Sequence, residues 1–284
     1  MAKILDGKTV AAGVRAEVAR EVERLRERGT LVRLDVVLVG RDPASVTYVR
    51  NKQNDCAEVG IESQLHEFPE EVSPDELQEL VGRLNADETV SGFFIQLPLP
   101  EGLDERPIVS AIDPAKDVDG LSPLSTGRLS IGEPSLLPCT PHGVIQLLKR
   151  NDISLEGREA VVLGRSNLVG KPLVQLLLRE NATVTTCHSR TRNLAEIAAR
   201  ADILIAAIGQ KALIGAEHVR EGATVIDIGI HRTEAGNLTG DVRFDEVEPK
   251  AVAITPVPGG VGPMTRAMLL YNTLQAAKRR SRTD

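Results

Sequence analysis

The sequence predicts an α/β protein of two domains, each built on parallel strands. Three observations carry this. Apolar strand-like runs alternate with stretches of helical period along most of the chain, the pattern of successive βαβ units. The length of 284 residues suits two domains of roughly 150 residues each. With 42% apolar and 26% charged residues, the chain carries enough material for two cores.

The elements follow in order. Apolar residues at 10, 14, 18, 22 and 25 keep helical spacing, and Gly29 ends that helix. LVRLDVVLVG (31–40) reads as a strand. After RDPA, Ser45 is the expected N-cap of a helix that carries Tyr48 and Lys52 in its first two turns, and Gly60 closes it. IESQLHEF is a second strand. SPDE at 73–76 is a capping box with proline at N1, opening a helix to about Ala86. VSGFFIQL (90–97) is a nearly continuous apolar run, as in a strand buried on both faces of a parallel sheet. PLPEG and DPAKDVDGLSP then read as irregular, Pro- and Gly-rich segments.

PCTPHGVIQLLKRN reads as a helix with Thr140 as N-cap and Pro141 at N1, bridging to a second domain. There the expected order is strand 159–164, helix 170–180, strand 182–187, helix 193–200, strand 202–208, and strands 223–229 and 251–255. From Gly262 to about Arg280, side chains at 264, 267, 268, 271 and 274 line one face of a closing helix, expected to pack back on the first domain. The domains are thus 1–139 with 262–284, and 140–261.

Composition excludes several classes. A net charge of -6 with 2% aromatics argues against a nucleic-acid binder, which needs basic grooves and stacking platforms, and against a membrane-surface protein. The start, MAKILDGKTVAAG, has no apolar signal region, and no apolar run approaches the ~20 residues of a membrane span. Cys56, Cys139 and Cys187 are scattered and odd in number, which fits a reduced cytoplasm. The five histidines form no metal-ligand spacing, so no metal site is expected.

Within the first domain, Tyr48 and Lys52 lie one helical turn apart on one face. Their helix follows a strand's carboxyl end, and Gln96 lies at the end of another, where ligands of parallel sheets bind. The alternative is an ordinary amphipathic helix with a solvated lysine. In the second domain, AVVLGRSNLVGKPLVQLLL is strand, glycine turn and helix, the architecture that cradles a pyrophosphate. Its spacing is G-x-S-x-x-x-G (Gly164, Ser166, Gly170). An NAD-specific fold places Asp or Glu at the end of the next strand. This chain has CHSRTR there, with Ser189, Arg190 and Arg192, and Arg165 sits inside the glycine loop. Such donors suit a 2′-phosphate, so the expected cofactor is NADP.

Seven blocks in order, YVRNK, QLPLP, DVDGL, PCTP, VVLGRSNLVGKP, ATVTTCHSRT and TPVPGGVGPMT, resemble the bifunctional methylenetetrahydrofolate dehydrogenase/methenyltetrahydrofolate cyclohydrolase family over nearly the whole length. The resemblance implies an N-terminal parallel βα domain that binds folate and a Rossmann-like NADP-binding domain. It implies oxidation of 5,10-methylenetetrahydrofolate and hydrolysis of the methenyl product to 10-formyltetrahydrofolate. Tyr48, Lys52, Gln96 and Asp119 then map to the folate cleft as catalytic and substrate-binding residues, joined by Leu97, Pro98, Pro258, Gly259 and Gly260. The PVPGGVG loop is expected between the two sites. Gly164, Arg165, Ser166 and Ser189 map to the cofactor, and Ile230 to a backbone contact near the nicotinamide.

The chemistry gives each type its reason. Proton transfers follow water attack, a cationic substrate and partial burial favour a neutral lysine amine, and Tyr48 is expected to hydrogen-bond that amine. Asp119 offers two acceptors to the donors of an aminopyrimidine edge. A cytoplasmic homodimer is also implied. Two other readings remain. YxxxK is also the catalytic motif of short-chain dehydrogenases, but there it lies downstream of a TGxxxGxG loop that this chain lacks. A non-catalytic NADP-binding regulator would leave the cleft groups free to vary.

Overall fold

Strand and helix alternate in the computed structural model, which describes residues 1–281. The first half runs β1 (Lys3–Ile4), α1 (Gly7–Glu27), β2 (Arg33–Val39), α2 (Pro43–Glu58), β3 (Glu62–Phe68), α3 (Pro74–Ala86), β4 (Gly92–Ile95), α4 (Glu105–Ser110) and α5 (Pro123–Ser130). The second half opens with α6 (Cys139–Lys149), β5 (Glu159–Leu163), α7 (Gly170–Arg179), β6 (Thr183–Cys187), α8 (Leu194–Ala198) and β7 (Ile203–Ala206). It closes with β8 (Thr224–Asp227), β9 (His231–Arg232), β10 (Leu238–Thr239), α9 (Phe244–Val247), β11 (Ala253–Ile254) and α10 (Val261–Arg280).

Two compact units form. One gathers Gly13–Cys139 and the chain from Arg266 onward, so α10 packs largely on the first unit, as its pattern suggests. The other gathers Met1–Ala12 with Thr140–Thr265. The first twelve residues therefore leave the domain 1–139 expected for them. The reason is β1, which pairs in parallel with β11 (Lys3 with Ala253, Ile4 with Ile254). Two residues are too short to show a strand period. The last three residues of the expected segment 262–284 lie outside the described residues.

In the unit that begins at Gly13, the sheet order is β3-β2-β4, all parallel. Apolar side chains of β2 and β4 (Val37, Phe93, Ile95) pack with Leu77, Leu80 and Leu84 of α3. Burying each large side chain contributes roughly 1.5–3 kcal/mol. The expected capping box is present: Ser73 Oγ accepts from Glu76 N at 3.2 Å, and Glu76 Oε2 accepts from Ser73 N at 3.1 Å. The N-cap of α2 is Asp42 rather than Ser45. Pro43 supplies a ready-made first helical residue, and Asp42 Oδ2 accepts from Ser45 N at 2.8 Å. Likewise α6 begins at Cys139, so Thr140 lies inside the helix, where its Oγ1 meets Thr265 Oγ1 at 2.9 Å. The short α4 lies between PLPEG and DPAKDVDGLSP, the two segments read as irregular, and α5 starts at the last residue of the second.

The other unit carries a six-stranded parallel sheet, β1-β11-β8-β7-β5-β6. From β5 the chain moves outward to β6, then returns to β7 on the opposite side. The order therefore reverses between β5 and β7, the place where such sheets bind ligands beyond their carboxyl ends.

A buried ion cluster sits on β2. Asp35 is fully buried, accepts from Arg33 Nε at 2.7 Å and Nη2 at 2.8 Å, and lies 2.7 Å from His66 Nε2 on β3. Asp35 in turn holds the Arg33 guanidinium above its ordinary range. Asp35→Ala removes the buried partner that Arg33 and His66 share, while Arg33 keeps Asp87 at 3.7 Å and the side-chain oxygens of Thr89 and Gln64, so the change should cost about 1–3 kcal/mol. Urea denaturation reads the loss as a lower midpoint; a cost below about 1 kcal/mol would mark the cluster as no stronger than a surface pair.

Candidate active site

Lys52 is held from the sheet side. Its Nζ donates to Gln96 Oε1 at 3.3 Å and lies 3.8 Å from the centroid of the Phe94 ring. Phe94 and Gln96 are two apart at the end of β4, so both face the same side, and the ring offers the ammonium its negative face. Gln96 Nε2 donates to Leu97 O at 2.7 Å, which turns the amide oxygen toward the lysine. The sequence signal for Phe94 was this i, i+2 relation to Gln96. Tyr48 is 47% exposed. Among the described residues it makes no hydrogen bond to Lys52, contrary to expectation, because the amine reaches over Phe94 to Gln96 instead. One turn beyond Lys52, buried Asp55 takes Nε and Nη2 of Arg266 from α10, which anchors α2.

The two aspartates of DVDG divide their roles. Buried Asp117 accepts from the backbone N–H groups of Gly120 (3.0 Å), Leu121 (3.2 Å) and Ser122 (2.9 Å) and so folds the loop. Gly120 has φ +68, and a Cβ there would lie 2.6 Å from Leu137 C and Pro138 N. Asn272 of α10 clamps the same loop, donating to Val118 O at 2.7 Å and Leu137 O at 2.8 Å. Among the described residues Asp119 has one hydrogen-bond donor, the thiol of Cys139 at 3.7 Å, which also reaches Val118 O at 3.4 Å. Burial raises its carboxyl above the ordinary value, and the nearby Lys52 ammonium opposes that rise. Burial, with Asp119 beside it, pushes the Cys139 thiol well above its usual range, so it is a protonated donor. Asp117, Cys139 and Asn272 were absent from the expected set because their contacts join segments distant in sequence.

In the other unit a cavity of about 540 Å³ opens at the carboxyl ends of β5, β6 and β7. Gly164, with φ +125, lies so close to β7 that a Cβ would meet Ala207 O at 2.1 Å. A Cβ on Gly170 would meet Gly164 O at 2.4 Å. Only glycines allow this turn into α7. Ser166 Oγ accepts from Val169 N (3.2 Å) and Gly170 N (3.3 Å), satisfying donors at the helix start. Arg165, Ser166 and Ser189 line the cavity with His188, Ile208 and Gln210 among others, and among the described residues no carboxylate does. Ser189 is presented by a turn in which His188 N donates to Thr191 Oγ1 at 2.8 Å and Arg190 N to His188 Nδ1 at 3.2 Å. The added wall residues follow the ends of strands, where the fold rule places ligands.

Tyr48, Lys52, Gln96, Leu97, Pro98 and Asp119 thus share one unit, and Gly164, Arg165, Ser166, Ser189, Ile230, Pro258, Gly259 and Gly260 share the other. Ile230 is 52% exposed just after β8 and does not line the cavity, nor do Arg190 and Arg192. Gly260 N donates to Pro256 O at 2.9 Å, and a Cβ on Gly7 would strike Gly260 O at 1.7 Å. Among the described residues, no group of His, Cys, Asp or Glu could hold a metal ion, and no helix is long and apolar enough to cross a membrane.

Comparison with known proteins identifies both halves of the chain. Residues 5–119 match the tetrahydrofolate dehydrogenase/cyclohydrolase catalytic domain, and residues 138–281 its NAD(P)-binding domain. Bifunctional protein FolD 1 of Rubrobacter xylanophilus is 70% identical over 280 residues, 99% of either chain. The crystal structure of bifunctional FolD methylenetetrahydrofolate dehydrogenase/cyclohydrolase from Campylobacter jejuni is 44% identical, with TM-score 0.97 over 99% of this chain and 100% of that one. The Trypanosoma brucei enzyme, solved with NADP cofactor and inhibitor, is 39% identical, with TM-score 0.93 over 99% of each chain.

The loop's two carboxylates should respond oppositely to removal. Asp117→Ala strands three backbone donors and should cost about 1–3 kcal/mol of stability. Asp119 has a raised folded-state value, so its stabilising contribution is present below the ordinary carboxylate value and lost as pH rises through the raised one. Asp119→Asn should therefore remove that loss and leave the protein as stable or more so at neutral pH. Denaturant melts of both variants between pH 4 and pH 8, a window of about 4 units, check the pair of signs; equal destabilisation by both would overturn the division of roles.

Proposed function

The chain belongs to the tetrahydrofolate dehydrogenase/cyclohydrolase family, and we propose that it oxidises 5,10-methylenetetrahydrofolate with NADP and hydrolyses the methenyl product to 10-formyltetrahydrofolate. The observation that carries this reading is the Lys52 amine, held by Gln96 over the Phe94 ring with the Asp119 carboxyl nearby. Asp119 accepts two hydrogen bonds from the aminopyrimidine edge of the pterin. Tyr48, exposed one turn before Lys52, gives the ring system an aromatic face. Leu97 and Pro98, which follow Gln96 in the same unit, complete the substrate contacts there.

Lys52 acts in the hydrolytic half. Water adds to the methenyl carbon, and the tetrahedral adduct must exchange protons before it collapses to the formyl product. An amine fixed by Gln96, whose neutral amide adds no charge of its own, takes and returns those protons. NADP, when bound, supplies the hydride acceptor for the oxidative half. The donor set of the cavity suits it: Arg165 and Ser189 would hold the 2′-phosphate, and among the described residues the cavity lining carries no carboxylate to repel it. The start of α7 would hold the pyrophosphate, and the backbone at Ile230, outside the cavity lining, would meet the nicotinamide side. The protein works as a homodimer in the cytoplasm, which sedimentation at micromolar concentration and cell fractionation test.

Methenyltetrahydrofolate formation with NADP, followed by its hydrolysis, tests the activity itself. Lys52→Met should lower the hydrolysis rate by about 10²–10⁴-fold; hydrolysis at the wild-type rate would remove Lys52 from the mechanism.

Cofactor choice tests the other unit. Arg165→Ala should raise the KM for NADP about ten- to a hundred-fold, the range set by one charge-assisted hydrogen bond. NAD lacks the phosphate, so kcat/KM with NAD should change far less, and Ser189→Ala should act in the same direction more weakly. An unchanged NADP/NAD preference in both variants would transfer the phosphate to Arg190, Arg192 or the backbone.

A further inference from the structure

The wall of the cavity at Ile208 is fixed from behind by two buried carboxylates that no step of the proposed reaction uses. Asp241 is fully buried, and its Oδ2 accepts from the backbone N–H groups of Ile208 (2.7 Å) and Gly209 (3.1 Å). Its Oδ1 lies 2.7 Å from His231 Nε2. Asp227, at the end of β8, accepts from the N–H groups of Gly229 (2.9 Å), Asp241 (3.0 Å) and Val242 (2.9 Å). The two are chained: Asp227 fixes the backbone of Asp241, and Asp241 fixes Ile208 and Gly209. The segment Gly229–His231 is tied at both ends, with Ile230 between the ties.

The backbone has been kept clear for these contacts. A Cβ on Gly229 would lie 2.4 Å from Asp241 Oδ1, and one on Gly240 would lie 1.9 Å from Asp227 Oδ2. Holding two carboxylates out of water side by side is costly. Burial pushes Asp227 up to about 6, and Asp241 adds to the rise. Apolar residues of similar volume often serve stability as well or better than buried charge. What the carboxylates supply, and apolar residues would not, is directed acceptors for the N–H groups of a strand end that lines the cavity.

We propose that Asp241 is a positioning residue for the cofactor. It sets the wall at Ile208 directly, through the N–H groups of Ile208 and the adjoining Gly209, and the Gly229–His231 segment through His231. This rests on the reading that the cavity takes NADP.

The test measures NADP binding directly, by calorimetry on the full chain, together with KM and kcat. Asp241→Leu keeps the approximate shape and removes both acceptors, so the Kd for NADP should rise about ten- to a hundred-fold. Asp241→Asn keeps one oxygen for Ile208 and Gly209 and turns its amide N–H to His231, whose ring accepts in the other tautomer. It should therefore bind NADP within about threefold of wild type. The KM for NADP should change more than kcat at saturating NADP, a split that a merely structural residue would not produce. A folded Asp241→Leu with the wild-type Kd would overturn the proposal. Should that variant not fold, His231→Leu releases one tie while leaving Ile208 and Gly209 bonded, and a Kd raised about threefold or more is expected; an unchanged Kd would again overturn it. Failure of the wild-type protein to bind NADP would instead overturn the cofactor reading, so the two outcomes are distinguishable.

Discussion

Parallel pairing puts every carboxyl end of a sheet on one edge, and both candidate sites follow from that constraint. In the three-stranded sheet, β2 leads into the helix bearing Tyr48 and Lys52, while β4 ends at Gln96. In the six-stranded sheet, β5, β6 and β7 end at the glycine loop, the Ser189 turn and Ile208. Residues far apart in sequence therefore meet without any loop having to travel. The loops differ in chemistry, but the reason they converge is the same.

The second theme is how the fold treats buried carboxylates. Asp35, Asp55, Asp117, Asp227 and Asp241 each have several donors: an arginine, a histidine, or a set of backbone N–H groups. These charges organise their surroundings. Asp119 differs, with one weak thiol donor and a lysine whose charge merely opposes its desolvation. A carboxyl left short of partners in a partly dry place is poised to bind one from outside. The first aspartate of DVDG spends three hydrogen bonds to hold the second in that condition.

Much of the fold was legible in the sequence because its signals are local. The capping box at Ser73–Glu76, the positive-φ glycines that end helices, and the alternation of strand and helix each depend on a few neighbouring residues. The expected Ser45 cap was misplaced by two turns of local logic that compete: Asp42 caps as well as Ser45 does, and Pro43 decides between them by supplying the first helical residue. The convergence of Lys52 with Gln96 was also readable, since strand ends and helix starts in a parallel sheet share an edge.

The sequence by itself determined the class of fold, the element order, the helix face shared by Tyr48 and Lys52, and a glycine loop followed by arginine and serine in place of an acid. Only the tertiary structure decided which groups those residues touch. It sent the Lys52 amine to Gln96 and Phe94 instead of Tyr48, gave Asp117 and Asp119 opposite duties, placed β1 in the other unit's sheet, and brought Asp227, Asp241 and His231 together behind Ile208. Helix and cap signals are interactions among residues within about four positions of one another. These choices are contacts between segments tens to hundreds of residues apart, and which of them form depends on how whole elements pack, a property that no short stretch of sequence carries.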